Sequence, residues 1–134
     1  MQMNAGVLAP VNRHFEEQMT CLIHQAGHSL PACEVHSMQP LMDSVNIVPA
    51  DWLRMAFWIA NNYPRYSGFV IVHGTDTMAY SASALAFLLR GLSKPIILTG
   101  SMIPLDQPES DALPNLVGAL NSAADDRISE VCIY

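Results

Sequence analysis

The sequence predicts an α/β fold: an open, mostly parallel sheet with helices on its faces, Rossmann-like in plan. Two observations carry this. "GFVIV" (68–72) and "KPIILTG" (94–100) contain apolar runs without polar alternation, as strands covered on both faces require. Between and around them stand segments with helical apolar spacing, so that strand, helix, strand, helix, strand follow in order.

In chain order, residues 1–10 show no strand pattern. Residues 11–26 read as a helix, with Phe15, Met19, Leu22 and Ile23 on one face and Gly27 ending it. Residues 33–38 read as a short strand and 42–47 as a loop. Pro49 opens a helix carrying Trp52, Leu53, Ala56, Phe57 and Ile59 to about Asn62. "YPRYSG" is a turn. A helix from about Thr77 to Arg90 follows the first buried strand, and a proline-containing loop (101–113) follows the second. A helix from about Pro114 to Ala124 and the strand "EVCIY" complete the pattern. The carboxyl-end rule for open α/β sheets puts loops 73–77 and 99–105 on one functional rim, with whatever follows Tyr134.

The 134 residues correspond to one domain or part of one. With 51% hydrophobic and 13% charged residues the chain is expected to fold. Its net charge of -6 and lack of a basic stripe argue against nucleic acid and anionic membranes as partners. No stretch of about 18 apolar residues occurs. The start, "MQMNAGVLAPVNRHF", does not read as a signal peptide. Three cysteines without a CxxC pair fit reduced, mostly buried thiols in a cytosol-like compartment.

The chemistry concentrates at "HGTDT" (73–77). Gly74 lets a ligand approach the backbone, Thr75 supplies a hydroxyl, Asp76 a carboxylate, and the helix start supplies unpaired N–H groups. Such a set suits a small zwitterion such as an amino acid. The competing reading is architectural, with Asp76 or Thr77 as a helix N-cap. His73 reads as a hydrogen-bonded structural histidine rather than a base. Cys21, His24 and His28 have ligand-like spacing but no fourth partner, so no metal is expected. Trp52 and Trp58 read as packing residues, and the eight methionines as core filling.

"GFVIVHGTDTMAYSASALAFLLRGLSKPIILTGSMIP" and "MQPLMDSVNIVPADW" resemble the bacterial-type L-asparaginases, most of all the cytoplasmic type I branch. The resemblance implies an amidohydrolase that converts L-asparagine and water to L-aspartate and ammonia, without metal or cofactor, in a homo-oligomer. It implies that Asp76 binds the substrate's ammonium. Ser44, with Asp43 and the Val45 backbone, would hold the α-carboxylate side. Thr75 would join Asp76 and a distant lysine in a catalytic cluster, the nucleophile being a threonine of a separate TGGTI motif. That motif does not occur in this sequence, and Val7 or Leu8 stands where a tyrosine is usual. The family's lysine has no counterpart: Lys94 precedes a strand, on the wrong rim. "SDALPNL" (110–116) has Ala112 where glycine is usual, which predicts an altered loop and makes Asp111 a weaker site candidate.

The expectation is a partial N-terminal domain over 1–134, inactive alone and prone to associate through an open sheet edge. The alternative is a non-catalytic, amino-acid-binding or oligomerising remnant of the family.

Overall fold

A computed structural model describes residues 2–4, 7–9, 15–26 and 30–134. The sheet that organises them is three-stranded and parallel, in the order β3-β4-β5: β3 is Phe69–Val72, β4 Ile96–Thr99 and β5 Val131–Ile133. Phe69 pairs with Ile96, and Ile96 with Val131. The helices are α1 (Phe15–Gln25), α2 (Pro49–Asn62), α3 (Met78–Leu88) and α4 (Ala112–Ala123).

Side-chain alternation along the strands feeds two separate layers. Phe69, Ile96 and Leu98 point to the α2–α3 side, where they meet Met55, Ala56, Ile59, Met78, Ala82 and Leu85. Ile97 and Val70 point to the α4 side, against Ala119 and Ala123. Met19 of α1 closes that layer over Leu116 and Leu120, so the predicted apolar face of α1 is the one used. Every residue of β4 is buried, as its unalternating run requires. β3 departs from the same expectation. It is an edge strand whose exposure rises along its length, leaving Val72 exposed.

α2 keeps the expected limits. Its proline is pre-set for the first helical position, and Asp51 reaches back to the Val48 N–H at 3.1 Å. α4 starts two residues earlier than predicted, at Ala112. Pro114 therefore sits inside the first turn, where its missing N–H costs nothing. The predicted strand at 33–38 does not form. Residues 31–38 have no regular structure and are held by side chains instead: Glu16 Oε1 accepts the Ser37 N–H at 2.7 Å, and the His36 ring lies 5.0 Å from that of Trp58. The reading of residues 1–10 as strandless is also corrected. β1 (Gln2–Asn4) and β2 (Val7–Ala9) pair antiparallel, separated in sequence by Ala5 and Gly6, the short glycine-containing spacing that hairpins accept. The predicted helix end at Gly27 and the third spaced ligand, His28, lie outside the described residues. Among the described residues no helix is long and apolar enough to cross a membrane.

Candidate active site

Two short 3-10 turns meet at the carboxyl end of β3. One, Thr75–Thr77, leads from β3 into α3; the other, Ser44–Asn46, precedes α2. Asp43 caps the second turn, its carboxylate accepting the Val45 N–H at 3.3 Å. That cap already uses the Val45 amide, one of the groups predicted to meet substrate. Ser44 follows, with only 3% of its surface exposed.

Ser44 Oγ donates to Asp76 Oδ2 at 3.2 Å, and Thr77 Oγ1 donates to the Ser44 carbonyl at 2.8 Å. The contact is close enough to require Gly74, since a Cβ there would stand 2.5 Å from Ser44 Oγ. The helix-cap reading, which allowed Asp76 or Thr77, holds for Thr77 by position and not for Asp76. Thr77 occupies the N-cap position of α3 without making a side-chain cap bond, because its hydroxyl is engaged by Ser44. Thr75 and Asp76 stand exposed on the rim.

His73 lies beneath them, buried. Its Nδ1 is 2.6 Å from the Gly74 carbonyl and its Nε2 2.8 Å from Ser81 Oγ, and Ser81 Oγ also accepts the Trp52 Nε1–H at 2.8 Å. Burial pushes the imidazole below its ordinary pKa, against a smaller opposing effect of the Gly74 carbonyl. The structural reading of His73 fits this arrangement. Trp52 is more than a packing residue, and Ser81 escaped the sequence reading altogether. Its signal was a hydroxyl on the inner stripe of α3, beside Met78, Ala82 and Leu85.

The loop after β4 completes the rim. Gly100 passes so close to β3 that a Cβ would stand 2.3 Å from the His73 carbonyl. Asp111 Oδ2 and Oδ1 accept the N–H groups of Met102 and Ile103 at 3.0 and 2.9 Å, and Asn115 Nδ2 bonds both Asp111 and the Gly100 carbonyl. Those amide donors hold the Asp111 carboxyl below its ordinary range. Asp111 therefore ties down the loop. Ala112 imposes no left-handed strain, since among the described non-glycine residues only Glu109 has a positive φ, at 61°. Lys94 is at the other end of the sheet, its Nζ donating to the Tyr63 carbonyl at 2.6 Å. Cys21 and His24 are exposed, and no group of metal-ligating side chains occurs among the described residues.

A family model described as asparaginase, N-terminal, matches residues 8–134. The chain belongs to that asparaginase family. It is 44% identical to L-asparaginase 1 of Escherichia coli across all 134 of its residues, which span 40% of that enzyme. The structure of L-asparaginase I from Vibrio cholerae superposes with a TM-score of 0.84 at 47% identity, over 93% of this chain and 38% of that one. This match also bears out the α/β fold class. A 60 kDa lysophospholipase of Mus musculus is 46% identical over 96 residues, covering 72% of this chain and 17% of that protein. This member of the family thus spans about two fifths of the curated relative that it matches end to end.

Proposed function

We propose that the rim is the substrate-holding half of an L-asparaginase site, serving the conversion of L-asparagine and water to L-aspartate and ammonia. The 3.2 Å contact between Ser44 and Asp76 carries the reading. It joins the two segments that the family resemblance assigns to opposite ends of one small zwitterion. Asp76 offers an exposed carboxylate for an ammonium group. The Ser44 hydroxyl, which donates to Asp76 in the free chain, would turn its proton to the α-carboxylate when the ligand arrives, and Asp43 orders the Val45 turn beside it. Thr75, exposed and one residue from Asp76, would face the substrate's side-chain amide. The reading needs no metal or cofactor. It makes residues 1–134 part of an asparaginase N-terminal domain, working in the cytoplasm, the compartment that the type I resemblance implies.

The nucleophilic threonine of TGGTI is absent from the sequence. The purified chain is accordingly expected to bind L-aspartate while releasing ammonia from L-asparagine only at the blank rate. Calorimetry with L-aspartate tests the binding half. Asp76→Ala and Ser44→Ala are each expected to abolish the heat signal, and a signal that survives Asp76→Ala would sink the reading.

Self-association is the second part of the proposal. From Met78 to Leu89 the α3 segment carries no charged residue, yet Tyr80 and Phe87 are 69% and 73% exposed. An uncharged helix face of this kind favours a homo-oligomer over a monomer. A monodisperse monomer in analytical ultracentrifugation would remove this part and leave the site untouched.

A further inference from the structure

Two buried polar side chains, His73 and Ser81, and the half-buried Trp52 form one directed chain of hydrogen bonds behind the rim. The Gly74 carbonyl can only accept, so His73 Nδ1 carries the proton of that 2.6 Å bond. In the neutral ring Nε2 is then an acceptor, and the Ser81 hydroxyl donates to it. Ser81 Oγ in turn accepts the Trp52 indole N–H. The direction runs from Trp52 on α2, through Ser81 on α3, to His73 at the end of β3 and the Gly74 carbonyl. Ser81 is fully buried and His73 7% exposed, so water does not substitute for the bond between them. The His73 backbone N–H is fixed as well, donating to Thr99 of β4 at 2.8 Å.

The last link acts on the rim. A trans peptide is planar, with its N–H opposed to its C=O. Holding the Gly74 carbonyl toward the buried imidazole turns the Thr75 N–H the other way, toward the exposed side where Thr75 and Asp76 stand. That amide opens the 3-10 turn and has no carbonyl one turn back to bond.

We infer that His73, Ser81 and Trp52 are positioning residues, which hold the Gly74–Thr75 peptide plane so that the Thr75 N–H points out at the ligand as a donor. The inference rests on the amino-acid-binding reading above for its ligand, but the geometry of the peptide plane is measurable without one. Replacing Ser81 by alanine leaves His73 Nε2 unpaired in the interior and removes the acceptor of the indole N–H, whereas threonine keeps the hydroxyl.

The test uses the full, ¹⁵N-labelled chain and its Ser81→Ala, Ser81→Thr and Trp52→Phe variants. Three quantities are read: the His73 ring-nitrogen shifts, the Thr75 amide resonance and the L-aspartate affinity. In the parent chain His73 is expected as the neutral Nδ1–H tautomer. Ser81→Ala should mix the tautomers, move the Thr75 amide resonance and weaken L-aspartate by about tenfold. Ser81→Thr should restore all three, and Trp52→Phe should fall between. Should Ser81→Ala fail to fold, Trp52→Phe carries the same test. A parent ring protonated on Nε2, or a Thr75 resonance unmoved in the variants, overturns the inference. Absence of L-aspartate binding by the parent chain overturns only the functional reading, because the Thr75 resonance still decides this one.

Discussion

The two ends of the sheet are built from different materials. At the carboxyl rim, buried polar side chains (Ser44, His73, Ser81) bond one another and the backbone, and glycines bring main chains together. At the amino foot the contacts are aromatic. Tyr63 stacks on Phe69 with centroids 5.9 Å apart, while Trp58 and Tyr66 meet the same ring edge-on. Lys94 lies 4.7 Å above the Tyr63 ring. Aromatic area gives stability that tolerates small shifts. A hydrogen-bonded rim gives direction, and loses it when one atom is removed. On the proposed reading of the site, the foot carries fold and the rim carries recognition.

Glycine substitutions should break this contrast most forcefully. At the foot, a Cβ on Gly68 would stand 2.0 Å from the Ala123 carbonyl, and at the rim Gly100 faces the His73 carbonyl. Both Gly68→Ala and Gly100→Ala are expected to cost about 2–4 kcal/mol in denaturant melts. Only Gly100→Ala should also weaken L-aspartate. Equal loss of affinity in both would erase the division between the two ends.

Trp52→Phe sharpens it next. The substitution keeps an aromatic ring but removes the donor to Ser81, and is expected to cost about 1 kcal/mol. At the foot, Lys94→Met removes a cation from the Tyr63 face and should cost less than about 1 kcal/mol. Its L-aspartate affinity should match the parent's; a loss there would return Lys94 to the site.

Acid separates the two ends by window, with the smallest effects. The folded pKa of His73 lies below the ordinary 6.5, so the unfolded chain takes up the proton first. The stability from this group is complete above 6.5 and declines as pH falls from there toward the folded value. At the foot, hydrogen bonds from Arg127 hold Asp125 down to about 2 against an ordinary 3.8. Its contribution is complete above 3.8 and is lost as pH falls through about 2. Melting temperatures followed from pH 7 to 5 should therefore decline through the rim alone, and Ser81→Ala should alter that slope while Asp125→Asn should not.

What the sequence made legible follows from range. The apolar period of α1 and α2 and the unbroken run of β4 are local; α2 and β4 formed as read, and α1 did so over its described part. The cap reading found the N-cap position at Thr77 but not the bonding there, because the partner of Asp76 and Thr77, Ser44, arrives from 32 and 33 residues away. Spacing around residue 76 contains no trace of that approach. Only the family resemblance joined the two segments in advance. The strand expected at 33–38 had the right composition but found no ladder, and β1–β2 formed where no pattern was recognised. Ser81 was visible as a polar residue on an apolar stripe, yet its meaning required the tautomer of a histidine eight residues earlier.

The bond from Thr77 to the Ser44 carbonyl has a thermodynamic consequence. It ties the turn before α2 to the turn before α3, so the Ser44–Asp76 pair forms only once two distant stretches of chain have docked. A ligand spanning Ser44 and Asp76 then binds the folded state and not the unfolded one. At one hundred times its dissociation constant it would add about 2.7 kcal/mol to folding. Such a ligand would act as a cross-link between the two turns, and a thermal shift would report its occupancy without any turnover.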